Sequence, residues 1–351
     1  MLPPEYQHLA VEFEPEGNPR VPFEAGQFLE RAGNLAGAAT LYDRAYGLAP
    51  EDAEIRTAFA ALLDKLQRTD HGLVWRYVPG GVFLMGHHFS EPDERPWHPV
   101  WLKPYWVTDT CVTYADYFRL MEWDYDNRYA DRVYPPDSAY DFLRENEYAL
   151  HWTDRTAGMY SGGTADNMKD TRAESRASEE EDRIDLKPYV AVSYQMAALV
   201  GHKLTTDSTG MSYRLPTEAQ WEKAARGGLI GAPFPWGWEP ATPERIDCGR
   251  FYDFGIKPMR SLPANAYGLF GMCGGVWEWT SDFYDRDYYR NAPHEDPPGP
   301  ATGEERVLRG GSWADCPEAC TVSFRASMGA GPDARDHVTP TVGFRLVRTE
   351  G

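Results

Sequence analysis

Apolar residues near the N-terminus recur at helical spacing. The run Leu35–Leu48 places apolar side chains three and four residues apart, and Pro50 separates it from a second run, Ala53–Leu66. A shorter segment, Phe23–Ala32, precedes both runs. The pattern predicts that residues 1–70 form a helical segment, a small α-helical hairpin in front of the main domain.

From Leu73 the pattern changes to short stretches in which apolar and polar residues alternate, which is typical of strands. VWRYVPGGVFLMGHH alternates around a Gly-Gly turn, and HPVWLKPYWVTDTCVTYADYFRLM predicts a second strand and a helix that begins near Thr113. Residues at about 124–187 are polar and highly charged, which predicts an insertion. We expect one α+β domain over residues 71–351.

The segment YRLPTEAQWEKAARGG carries the signals of a helix at both ends. Thr217 is an N-cap residue with Gln220 three positions later, which forms a capping box. Glu222 and Arg226 have the i,i+4 spacing of an ion pair, and Gly227 and its neighbouring glycine end the helix. This segment therefore predicts a short helix that begins after Thr217.

Composition and charge narrow the class of protein. The 351 residues include 32 Gly, 28 Pro, 12 Trp and 21 Tyr, which favours a loop-rich fold with aromatic side chains over a helical bundle. A net charge of −19 disfavours nucleic acid and anionic membranes as partners. Five cysteines, no signal-peptide pattern and no apolar run of membrane-spanning length predict a cytoplasmic protein without a disulfide framework.

Eight segments, in order along the chain, resemble the formylglycine-generating enzyme (sulfatase-modifying factor) family. They are PGGVFLMG, HPVWLKPYWV…VTYADY, PYVAVSYQMA, YRLPTEAQWEKAARGG, FPWG, NAYGLFGMCGGVWEWTSDFY, RVLRGGSW and VGFRLVR. The resemblance covers Leu73 to the C-terminus and implies a loop-rich α+β fold related to C-type lectins. It leaves the function open, because family members include copper-dependent oxidases that convert a peptide cysteine to formylglycine and others that only bind ligands.

The N-terminal segment resembles a tetratricopeptide repeat. The residues that match are Gly33, Ala38, Tyr42, Ala45 and Pro50. Isolated repeats of this kind rarely fold by themselves. Two interpretations follow: a helical hairpin that caps the main domain, and a surface that docks a partner.

The resemblance also places copper chemistry in the loop after the GGSW motif. The copper-dependent relatives carry two cysteines five positions apart there, and thiolates are the expected ligands of Cu(I). This chain has Cys316 and Cys320, whose C-x-x-x-C spacing is one residue shorter, and the path from Ser312 to Arg325 is compressed as well. The pair is either a copper site or two ordinary thiols in a ligand-facing loop, and we favour the second interpretation.

A further implication of the resemblance is a structural calcium ion, which takes oxygen ligands. In the family, one ion is bound by the turn before the WEW motif and by its glutamate, and a second site lies between the FPWG and NAYGL segments. Gly275 stands here in place of the usual asparagine, which removes one side-chain oxygen. The residues implied as calcium ligands are Cys273, Gly274, Val276, Glu278, Asp247 and Asp253.

We expect the C-terminal loop, Trp313–Thr341, to present side chains to a ligand. Its aromatic and polar candidates are Trp313, Asp315, Phe324, Asp333, Arg335 and His337. The predicted function is a ligand- or protein-binding regulatory module whose partner is a protein or peptide. The alternative is a copper- and O₂-dependent oxidoreductase that uses Cys316 and Cys320.

Overall fold

The computed structural model describes residues 17–87, 90–121, 186–250, 256–330 and 339–350. The insertion predicted at about 124–187 therefore lies almost wholly outside the described residues. None of the helices within these ranges combines the length and the hydropathy that a membrane crossing requires.

Three helices form the N-terminal segment: α1 (Arg20–Arg31), α2 (Leu35–Leu48) and α3 (Ala53–Leu66). Asn34 caps α2, because its side chain accepts a hydrogen bond from the backbone N–H of Gly37, and Asp52 caps α3 in a similar way. The rings of Phe23 and Tyr42 pack between α1 and α2 with their centroids 5.3 Å apart. The predicted N-terminal helices are confirmed, and they form three helices where a two-helix hairpin was expected.

This helical segment packs directly on the rest of the chain. Tyr267 donates a hydrogen bond to the Asp43 carboxylate on α2 at 2.7 Å, and the Trp106 indole donates to the carbonyl of Leu66 at 3.1 Å. The Nζ atom of Lys223 lies 3.9 Å from the carboxylate of Asp43. Burial raises the pKa of Asp43, and the two neighbouring donors act in the opposite direction. These contacts favour the interpretation of the segment as a cap on the main domain.

Eleven strands lie in the described ranges. They are β1 (Arg68–Asp70), β2 (Leu73–Val78), β3 (Gly81–Met85), β4 (His98–Leu102), β5 (Tyr105–Thr108), β6 (Met211–Arg214), β7 (Trp277–Phe283), β8 (Glu305–Arg309), β9 (Arg325–Gly329), β10 (Val342–Gly343) and β11 (Val347–Glu350). Five of them form an antiparallel sheet in the order β1-β2-β5-β11-β6. Because β11 lies between β5 and β6, the end of the chain is fixed inside this sheet.

A second sheet positions the C-terminal loops. Its strand order is β10-β7-β8-β9, in which β10 runs parallel to β7 and the other pairs are antiparallel. A separate ribbon pairs β3 with β4. The Gly-Gly turn separates β2 from β3, which belong to different sheets, because β2 pairs with β1 and β5. Residues 68–70, at the end of the predicted helical segment, form β1 and pair with β2.

Within the described ranges, the remaining α-helices are α4 (Tyr114–Leu120), α5 (Tyr194–Thr206) and α6 (Glu218–Arg226). Capping boxes begin α4 at Thr113, with Asp116 as partner, and α6 at Thr217, with Gln220 as partner. Gly227 ends α6 in the left-handed conformation, with a φ angle of 58°. Both predicted helices are confirmed, and the mixture of helices and short strands confirms the α+β fold class.

Candidate functional site

The Glu278 carboxylate in β7 is fully buried and saturated with hydrogen bonds. Arg345 donates to both of its oxygens, at 2.6 and 2.7 Å. The Trp221 indole and the Cys111 thiol donate one bond each, at 2.8 and 3.1 Å. Four donors match the four acceptor directions of a carboxylate. Burial is the largest single influence and lowers the pKa of the Arg345 guanidinium, but the charge and hydrogen bonds of Glu278, with Cys111 and Asp109, together raise it above its ordinary value.

Two more buried carboxylates lie on α6. Glu222 accepts from Arg309 of β8, and Glu218 accepts from Arg325 of β9 at 2.6 and 3.0 Å. Arg309 also donates to the backbone carbonyls of residues 322–324, at 2.6 to 2.9 Å. These bonds hold β8, β9 and residues 322–324, at the end of the loop between the two strands, against α6.

That connection, residues 310–324, is the β8–β9 loop and carries both cysteines of the C-x-x-x-C motif. Gly311 has a φ angle of 74°, and a Cβ atom on it would overlap the sulfur of Cys320. The Asp315 carboxylate accepts from the backbone N–H and the hydroxyl of Ser312 and from the indole at the start of β7. The hydrogen bonds of Asp315 therefore hold the loop in shape, and Gly311 allows its backbone to pass close to the Cys320 sulfur.

Cys316 and Cys320 occupy different environments. Cys316 is exposed, whereas Cys320 is fully buried. The Cys320 thiol donates to the carbonyl of Ser312 at 3.6 Å. Interaction with the Cys248 thiol and burial both raise the pKa of Cys320, and the same interaction lowers the pKa of Cys248 against the effect of its partial burial. Cys320 is thus a core thiol, whereas Cys316 is a solvent-exposed one.

The segment that carries Cys248 lies against the β8–β9 loop. The backbone N–H groups of Gly249 and Arg250 donate to the carbonyls of Asp315 and Trp313, at 2.7 and 2.8 Å. The sequence reasoning missed Cys248 as a partner of this loop. No local motif marks the contact, because β7 and β8 lie between the two segments along the chain.

Three of the residues expected to face a ligand can be placed. The Trp313 side chain is 3% exposed and belongs to the core, and the Asp315 carboxylate is bonded within its own loop. Phe324 is half-buried and packs against Trp277 with ring centroids 6.0 Å apart. The burial of Trp313 corrects the expectation that its side chain faces a ligand, whereas Asp315 and Phe324 are half-buried and stay candidates. The other candidates, Asp333, Arg335 and His337, lie outside the described residues.

The implied calcium ligands fit arginine better than they fit a metal ion. All acceptor directions of Glu278 are occupied, and Asp247 accepts from the guanidinium of Arg250 at 2.7 Å. Asp253 lies outside the described residues. Among the residues that the structure does describe, no three His, Cys, Asp or Glu side chains are grouped to hold a metal. The carbonyls of Cys273, Gly274 and Val276 would therefore have no available described carboxylate beside them.

Four aromatic side chains beside the β8–β9 loop are partly or fully exposed and form what we call the aromatic surface: Trp97, Phe234, Trp236 and Trp238. Trp238 is 69% exposed and Trp97 is 39% exposed. A Cβ atom on Gly231 would lie 3.7 and 3.3 Å from these two indoles. The backbone N–H of Val322 donates to the carbonyl of Pro233 at 2.9 Å, which connects the aromatic surface to the loop.

A cavity of about 340 Å³ lies elsewhere, between α2 and β3. Asp43 and Lys223 line it together with mostly apolar neighbours, and Asp43 accepts the hydrogen bond of Tyr267 described above. None of the cysteines lines this cavity. It belongs to the contact between the helical cap and the main domain, apart from the β8–β9 loop.

Comparison with known proteins decides the family. Residues 61–350 match the family model described as "Sulfatase-modifying factor enzyme 1-like domain". The chain belongs to this family. The formylglycine-generating enzyme of Streptomyces coelicolor is 32% identical over 294 residues, which cover 76% of this chain and 87% of that enzyme.

Other relatives in the sulfatase-modifying factor family carry different names. The mouse protein "Inactive C-alpha-formylglycine-generating enzyme 2" is 29% identical over 304 residues, which cover 78% of this chain and 85% of that protein. The serine/threonine-protein kinase pkn1 of Chlamydia caviae is 29% identical over 278 residues, covering 78% of this chain but only 37% of the kinase. Family membership therefore leaves open whether this chain is catalytic.

Two solved structures share the fold. PvdO from Pseudomonas aeruginosa superposes with a TM-score of 0.56 at 20% identity, covering 80% of this chain and 97% of PvdO. Treponema denticola variable protein 1 superposes with a TM-score of 0.55 at 21% identity, with the same coverage of both chains. The predicted family fold is confirmed by these superpositions and by the family match.

Glu278→Gln is expected to lower the free energy of unfolding by about 3–5 kcal/mol, because it leaves the buried Arg345 without its counter-charge. Glu305→Gln is the matched control on an exposed position of β8 and should change stability little. Denaturant unfolding measures the stability of both variants.

Adding EDTA to the native protein should leave its melting temperature unchanged, and a fall on chelation would show that a metal ion stabilises the fold.

Proposed function

We propose that this chain acts as a ligand- or protein-binding regulatory module of the sulfatase-modifying factor family. The observation that carries the proposal is the separation of the two loop cysteines into different environments. Cys316 is exposed to solvent, whereas the Cys320 residue is buried and its thiol donates to the carbonyl of Ser312. The alternative, a copper-dependent oxidoreductase, requires both sulfurs at one metal ion.

The chemistry of thiol ligands also argues against a copper site at these two cysteines. Cu(I) is bound by thiolates, so a copper pair benefits from sulfurs that lose their protons readily. Interaction with Cys248 and burial raise the pKa of the Cys320 thiol, which disfavours the thiolate that copper binds. Cys316 and Cys320 in this arrangement therefore make a poor copper site, although the S. coelicolor relative is named an enzyme.

The aromatic surface is the part of the chain that we propose for binding. Exposed tryptophan side chains are uncommon on surfaces without partners and are enriched where proteins bind one another. Trp238 and Trp97 lie outside the C-terminal loop that the sequence analysis proposed for binding, but their segment is joined to the β8–β9 loop through the bond between Pro233 and Val322. We propose a protein or peptide as the partner, because tryptophan rings fill the small pockets that such ligands offer.

The names of the relatives support a binding role. The mouse relative is called inactive, and the chlamydial relatives carry the matching region within longer kinases. A domain that occurs beside a kinase, and in a protein named inactive, is used for more than oxidation of a peptide cysteine. These names support our proposal that this chain binds or regulates another protein.

A titration with Cu(I) under reducing conditions separates the two functions. Competition with a chromophoric Cu(I) chelator should show no uptake that depends on Cys316, so wild type and Cys316→Ser should bind the same amount of copper. A cysteine-containing peptide incubated with the copper-treated wild type and O₂ should keep its thiol, as judged by mass spectrometry. Stoichiometric uptake that is lost in Cys316→Ser, with conversion of the peptide to formylglycine, would establish the oxidase instead.

Trp238→Ala should weaken partner binding without loss of stability. The indole is 69% exposed, so its removal leaves the core unchanged, whereas a bound partner loses a large apolar contact. Phe28→Ala is the matched control, because Phe28 is 65% exposed on α1, away from the aromatic surface. Proteins retained from the source cells by the immobilised full chain are quantified for each variant. If both variants retain the same proteins in the same amounts, the aromatic surface is not the binding site.

A further inference from the structure

The cavity between α2 and β3 is large enough to hold a small molecule. Its volume is about 340 Å³, and it lies between the helical cap and the main domain. An apolar cavity of about 150 Å³ binds benzene, so this one has room for a molecule of roughly twice that size. Its volume also falls within the range of the ligand pockets of other proteins.

Most of the cavity wall is apolar. The apolar side chains that line it are half-buried and come from both sides of the contact: Leu41 and Leu48 of the cap, and Val82, Leu84, Trp101, Leu229 and Ile230 of the main domain. Half-buried apolar side chains around a concave surface favour an apolar ligand, because the ligand removes them from water. A molecule in the cavity would therefore contact the cap and the main domain at once.

Two glycines bring the opposite walls of the cavity together. Gly228 has a φ angle of 87°, and a Cβ atom on it would lie 2.7 Å from a carboxylate oxygen of Asp43. A Cβ atom on Gly47 of α2 would lie 2.9 Å from the carbonyl oxygen of Gly228. Residues 228–230 therefore pass close to α2, which brings Ile230 and the Asp43 carboxylate to the same cavity.

Two side chains of opposite charge face each other on the wall. One oxygen of Asp43 accepts a hydrogen bond from Tyr267 at 2.7 Å, and the other lies 3.9 Å from the Nζ atom of Lys223. The Lys223 side chain is 2% exposed, and Nζ donates to the carbonyl of Gly81 at 3.1 Å. The separation of carboxylate and ammonium exceeds the roughly 3 Å of a direct hydrogen bond. A ligand group that donates to the carboxylate and accepts from the ammonium would meet both.

The charges on the wall favour a neutral ligand. Asp43 would repel an anion, and Lys223 would repel a cation. Two further cations line the cavity, of which Arg226 is paired with Glu222 at 2.7 Å and Arg44 is half-buried next to Asp43 in the sequence. A hydroxyl or an amide both donates and accepts, so it satisfies the carboxylate and the ammonium without adding a charge.

We propose that this cavity binds a small neutral molecule that carries one hydroxyl or amide group on an apolar body. The polar group would lie between Asp43 and Lys223, and the body would contact the apolar wall. None of the four side chains of the aromatic surface lines the cavity, so the site goes beyond the proposed binding function and does not depend on it.

Three probes with the same ring system test the assignment on the full-length wild type: 2-naphthalenemethanol, 2-naphthoate and 2-naphthylmethylammonium. Isothermal titration calorimetry gives the Kd of each probe. The alcohol should bind about tenfold more tightly than either ion, because each ion keeps one of the two hydrogen bonds and meets a like charge. Equal or tighter binding of either ion, or no binding of the alcohol, would overturn the proposal.

Methyl NMR of the wild type locates the bound alcohol. The δ1-methyl resonance of Ile230, assigned through Ile230→Val, should shift on titration because this side chain lines the cavity. The resonance of Ile256 is the control, since Ile256 is buried in the other hydrophobic cluster and should not shift. An unchanged Ile230 resonance would show that the alcohol binds elsewhere and would overturn the proposal.

Leu48→Trp tests the site by filling the cavity. The indole should take the space of the naphthalene ring and weaken binding of the alcohol by about tenfold or more. Leu35→Trp is the matched control, because Leu35 is a half-buried residue of the same helix that does not line the cavity. Circular dichroism verifies that each variant is folded, and the wild-type measurements stand whether or not it is. Unchanged affinity in folded Leu48→Trp would contradict the assignment.

Discussion

The buried ion pairs between arginines of the C-terminal strands and carboxylates of the central elements hold this fold together. Arg345 pairs with Glu278, and the arginines at the ends of β8 and β9 pair with carboxylates of α6. Each charge has been removed from water, which is costly unless a counter-charge and further hydrogen bonds replace the lost hydration. Because these arginines have such partners, they fix the positions of β8, β9 and the segment between β10 and β11.

This constraint also decides the chemistry available around the β8–β9 loop. The Glu278 carboxylate, which the sequence resemblance implies as a calcium ligand, is here the counter-charge of Arg345, and Asp247 pairs with Arg250 in the same manner. Between the anchored strands, the loop closes over Cys320 and leaves Cys316 in solvent. A fold built in this way retains the family architecture while one loop cysteine is exposed and the other is buried. This difference is the reason why we propose a binding module in place of a copper enzyme.

Local features were predictable from the sequence and contacts between distant segments were not. The capping box of Thr217 and Gln220 defined α6 because its signals lie within one turn of the helix. The resemblance located the loop that carries Cys316 and Cys320, but it could not give the direction of either sulfur. The approach of Cys248 depends on how two loops pack, and no spacing rule describes it. Trp313 was misjudged for the same reason, since its burial is set by the whole core.

The most direct test of this account is the rate at which each cysteine is alkylated in the reduced, native protein. Peptide mapping after a timed exposure to iodoacetamide resolves Cys316 from Cys320. The account predicts rapid labelling of Cys316, while Cys320 stays unlabelled until the protein unfolds. Labelling of both cysteines at similar rates would show two sulfurs presented together, and it would contradict the separation on which the proposed function rests.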